Sequence, residues 1–190
     1  KESKYLKGGR LMSTHENDHY EAFESSQHNR EDLMDLSELR QQVDAFKTNN
    51  NDSELKEHIA SELIKWKEYI RDQYRPEDPA EQSRLSNIAD KVQGDIDSAF
   101  EYNDGSKIFA FLEASYQISK EDLVYGRTLI LFSEKDTIKR ALSFFDSDEE
   151  NHKLADFIVS KNIEIGKEIM SEDYLELLEI ERDYINARFN

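Results

Sequence analysis

The chain has 190 residues, of which 35% are charged and only 37% hydrophobic, and its net charge is −17. Two Pro and six Gly are too few for the frequent turns of a sandwich or barrel, so the composition favours long helices. With no cysteine, disulfide frameworks, thiolate metal sites and cysteine nucleophiles are excluded, and a reducing cytoplasm is the expected setting.

Residues 1–29 read as a polar N-terminal arm in which Tyr5, Tyr20 and Phe23 share no period. Met12 followed by Ser13 fits a natural start, with residues 1–11 as an appended lead-in; the alternative, that they are native, stays open. The spacing of Leu33, Leu36, Leu39, Val43 and Phe46 predicts a helix over 31–46. "KTNNNDS" is a loop. Leu55, Ile59, Leu63, Trp66 and Ile70 then place one apolar stripe on a helix over 54–74, with Trp66 in the core. In "RPEDPAEQ", Asp78 suits a cap, Pro79 the first helical position and Glu81 a capping box. The helix that follows runs to about Tyr102 on the stripe Leu85, Ile88, Ala89, Val92, Ile96, Ala99 and Phe100.

After "NDGS" shorter helices are expected over 107–116, 120–132 and 137–145. "IFAFLEASY" and "LVYGRTLILF" are apolar nearly all round and should form the buried centre. Ser119 to Asp122 is a capping signature, and Ser147 with Glu150 repeats it before a helix over 151–161. A last helix or helix pair covers 163–189, with Ser171 as an internal cap or break. The prediction is one all-α domain over 30–190, an irregular bundle of about seven or eight antiparallel helices. No apolar run approaches the roughly 18 residues that a membrane-spanning helix needs, so no membrane partner is expected.

One short motif demands a chemical reading. "HENDH" places His15 and His19 one helical turn apart with Glu16 between them, the spacing of a zinc peptidase helix. Such a helix is packed beside a sheet, whereas the neighbours here are Ser13, Thr14, Asn17 and Asp18, and too few residues precede the motif in this chain to build a sheet. His15 and His19 therefore stand as weak metal candidates, and a zinc-dependent hydrolase as a remote reading. Arg10 and His15 match an R-x4-H spacing found in helical-bundle ribonucleases, but they lie in the arm and not in the bundle. "DSDEEN" lacks the glycine turn and distal glutamate of a calcium loop, and no Gly-rich phosphate loop is present. No cofactor and no catalytic residue is assigned.

The charge carries more information. Residues 1–13 hold Lys1, Lys4, Lys7 and Arg10 against Glu2, a net +3, which leaves −20 on the rest. Such a field repels phosphate backbones and anionic lipid, so direct nucleic-acid binding is not expected, and it speeds the capture of a basic partner. Residues 145–190 hold thirteen acids against five Lys/Arg, a net −8. Within them Asp146, Asp148, Glu149, Glu150, Glu168, Glu172, Asp173 and Glu176 are the candidate contact residues. The bland reading is a solvated face. The sharper one is a non-enzymatic acidic protein that binds a basic protein, as a toxin-neutralising immunity protein or inhibitor does. A DNA mimic is the alternative, and it requires carboxylates in two parallel rows.

Overall fold

The computed structural model describes residues 29–190, and for residues 132–136 the backbone alone; every regular element among them is helical. The predicted arm over 1–29 therefore lies outside the described residues except for Asn29. A 3-10 turn, Arg30–Asp32, leads to α1 (Leu36–Thr48), α2 (Ser53–Gln73), α3 (Pro79–Ala99) and α4 (Gly105–Glu121). Next come α5 (Leu123–Thr128), a π turn (Leu129–Ser133), α6 (Glu134–Ala141), α7 (Asp148–Ile169) and α8 (Glu172–Arg188).

The helix starts explain how the chain manages with so few turn residues. Asp52, Asp78, Asp104, Asp122, Ser147 and Ser171 each stand at an N-cap with the side chain accepting a backbone N–H of the first turn. Four of these caps are aspartates, so part of the acidity is structural. The expected box at α3 is not closed by Glu81, whose carboxylate is taken by Arg84 at 2.5 and 3.0 Å. That pairing, led by the Arg84 hydrogen bond, holds the Glu81 carboxyl below its ordinary range.

Several boundaries differ from the sequence expectation, each for a local reason. The helix expected from Glu31 begins at Leu36, because side chains of α2 claim the Met34 backbone. Its N–H donates to Glu62 Oε1 and its carbonyl accepts from Trp66 Nε1 at 2.7 Å, which fixes an extended approach. Trp66 is in the core as predicted. α4 runs past Tyr116 to Glu121, since Ser119 bonds back to the Ser115 carbonyl and stays helical; Asp122 alone caps α5. The gap expected near Asn162 is absent, and α7 continues through it to Ile169 with Asn162 buried. The gap expected at 133–136 is bridged by the π turn and α6. "IFAFLEASY" is buried on one face only, leaving Ala110 and Ala114 exposed, whereas Thr128 to Leu131 is buried throughout.

α7 and α8 form an antiparallel hairpin at the centre. Gly166 permits the close approach at its turn, where a Cβ would stand 3.1 Å from Leu175. α1 covers α8 with Leu39, Val43 and Phe46, the last 5.6 Å from the Tyr184 ring. These two helices run parallel. Arg40 meets Glu176 at 3.0 Å, Lys47 reaches Asp183 at 4.0 Å, and Asn50 donates to the Ala187 carbonyl at 3.1 Å. The first and last helices of the bundle are thus an exception to its back-and-forth order.

Candidate functional site

The eight acidic candidates separate into two groups. Asp146, Asp148, Glu149 and Glu150 are exposed before and within the first turn of α7. Glu168 is exposed in the last turn of α7, and Glu172 and Asp173 are exposed in the first turn of α8 with Glu176 half-buried behind them. Twenty residues of helix separate Asp148 from Glu168, about 30 Å at 1.5 Å per residue. No compact partner surface spans both groups without covering the whole of α7.

Helix electrostatics accounts for one group better than the other. Acids in a first turn face the positive end of the helix dipole, so Asp148, Glu149, Glu150, Glu172 and Asp173 stabilise the helices they begin. Glu168 has the opposite placement, at the negative end of α7, where a carboxylate is disfavoured. Glu179, an acid outside the candidate set, lies exposed in mid-helix. Residues 172, 176, 179 and 183 step by four, three and four, so Glu172, Glu176, Glu179 and Asp183 form a single ridge along α8, about 16 Å long. Arg40 and Lys47 flank two of its members. Among the described residues no ion pair takes Glu168, Glu172, Asp173 or Glu179. An outward face of α7, beside α4, mixes Lys153, Asp156, Lys161, Glu164 and Lys167 and is not an acidic row.

The inner face of α8 has a different chemistry. Glu181 is only 3% exposed and accepts a short hydrogen bond from Lys67, itself 5% exposed, on α2. The second carboxylate oxygen, Oε1, is buried with no protein partner. Both residues line a cleft of about 700 Å³ between α2, α6 and α8. Its charged lining is Lys65, Lys67, Lys139 and Arg188 against Glu57 and Glu181, a net +2 on a molecule of −17. Tyr184 also lines it, and burial pushes that phenol above its ordinary range while the hydrogen bond from Arg188 pulls the other way. Sequence patterning missed this pair, because Lys67 and Glu181 are 114 residues apart and each carries a residue type expected on a wet face.

His15, Glu16 and His19 lie outside the described residues. Among the described residues no three His, Asp or Glu side chains are grouped to hold a metal ion. His58 is exposed, and His152 bonds Asn186 Oδ1 at 2.7 Å while stacking on Phe189. No described helix is long and apolar enough to cross a membrane. Comparison with protein-family models, with curated proteins and with solved structures gives no match.

Proposed function

We propose that this is a non-enzymatic helical protein that binds a basic protein partner through the ridge of α8 and the adjoining end of α7, in the manner of a toxin-neutralising immunity protein or inhibitor. The observation that supports it is the placement of Glu168 and Glu179. Neither caps a helix, neither faces a favourable dipole, and neither has a cationic partner among the described residues. Acids retained without a folding benefit suit a surface whose partner supplies the cations. Asp146 and the first turn of α7 take a structural role in this reading, and the cytoplasmic setting is kept as fitting a cysteine-free chain.

The test is affinity capture from the native host with the wild-type chain and two neutralised variants. A basic partner should be lost by Glu168→Gln/Glu172→Gln/Glu179→Gln and kept by Asp146→Asn/Glu149→Gln/Glu150→Gln. Its binding should weaken as salt rises from low to physiological strength, where screening acts over about 8 Å. A partner bound equally by both variants, or indifferent to salt, defeats the proposal.

A further inference from the structure

We propose that the cleft between α2, α6 and α8 binds a small amphipathic acid that carries a neutral hydrogen-bond donor. Three features of the cleft specify that chemistry. Ala60, Leu63, Ile64, Ile138 and Leu142 give it apolar walls, and its volume of about 700 Å³ suits a small organic molecule. Lys139 and Arg188 line it without a carboxylate partner among the described residues, on a chain with 42 acids. Cations left unpaired in so acidic a molecule are matched by an anionic group on the ligand. Glu181 Oε1, buried and without a protein partner, is matched by a donor.

The donor is neutral and not an ammonium. Lys67 already supplies the positive charge beside Glu181, so a second cation there would meet like-charge repulsion. A hydroxyl or amide N–H completes the carboxylate without adding charge. The ligand therefore has an apolar chain on the Ile64 and Leu142 walls, a hydroxyl or amide at Glu181, and a carboxylate at the Lys139 and Arg188 side. This site is separate from the acidic ridge on the outer face of α8.

Calorimetric titration of the full chain with three probes tests the assignment. 3-Hydroxyoctanoate should bind saturably. Octanoate lacks the donor and 1-octanol lacks the acid, and each should bind about tenfold more weakly, the worth of one such hydrogen bond or contact. The variant Lys139→Gln/Arg188→Gln gives up one hydrogen bond, from Arg188 to Tyr184, so its urea midpoint is read beside that of the wild type to confirm that the fold is kept. It should weaken both acids about tenfold and leave 1-octanol unchanged. Absence of saturable binding overturns the site. So does equal binding of octanoate and 3-hydroxyoctanoate, or acid binding that ignores the double variant.

Discussion

The two faces of α8 use one residue type for opposite ends. On the outer face, Glu172 and Glu179 are exposed and Glu176 and Asp183 half-buried beside Arg40 and Lys47, where a carboxylate keeps much of its hydration and a surface ion pair adds little to stability. On the inner face, Glu181 is buried away from that hydration and its carboxylate accepts from Lys67. The difference comes from register alone: two residues along the helix rotate a glutamate from solvent into the core. A count of acids therefore measures neither binding nor stability until each is placed on its face.

The contrast makes its largest prediction at the buried pair. Glu181→Leu takes the buried carboxylate away from the Lys67 ammonium and should destabilise the fold by about 3–5 kcal/mol, read as a drop in the urea midpoint. Adding Lys67→Met to it replaces both halves of the buried pair with apolar groups and should recover most of that loss. If the double variant is as unstable as the single one, the pair is not the source of the effect.

A smaller effect is expected at an acid that is wet and yet structural. The Ser106 hydroxyl, then the backbone N–H groups of Ser106 and Lys107, hold the Asp104 carboxyl below its ordinary range. A lowered folded-state value stabilises the fold above the unfolded value of about 3.9 and loses that contribution as pH falls through the folded one. Asp104→Asn keeps a capping side chain without the charge. Its Tm deficit should be visible near pH 6 and should close as the buffer is taken toward pH 3. A deficit that is constant across that range would assign it to shape and not to charge.

The smallest effect belongs to the end of α7 that adjoins the ridge and has the opposite sign. Glu168→Gln removes a carboxylate from the negative end of α7 and should stabilise the protein by a few tenths of a kcal/mol, seen as a slightly raised urea midpoint. Loss of stability instead would mean that Glu168 has a structural partner and is no surplus acid.

What the sequence made legible follows from where physical constraints are local. The α2 stripe from Ile59 to Ile70, the Asp78–Pro79 start of α3 and the Ser147 and Ser171 caps depend on neighbours within a turn or two, and they stand where periodicity placed them. Boundaries failed where a distant group decided them. The Met34 backbone is held by residues about thirty positions away, and Asn162 is polar in sequence yet fully inside α7. A polar residue between apolar runs suggests a break, but a buried asparagine or a serine bonded to its own helix breaks nothing. The acidic candidates were legible as a composition. Their division over the length of α7, and the cleft beneath α8, required the tertiary fold.

The parallel pairing of α1 with α8 has a consequence for how the molecule is made. Arg40 and Glu176 are 136 residues apart, so the face of α8 that α1 covers does not exist until α8 has been synthesised. Until then Leu39, Val43 and Phe46 lack the α8 side of their packing, and the helices before α8 leave that apolar seam open. α8, packed against α7, α1 and α2 at once, acts as the keystone that closes the described bundle.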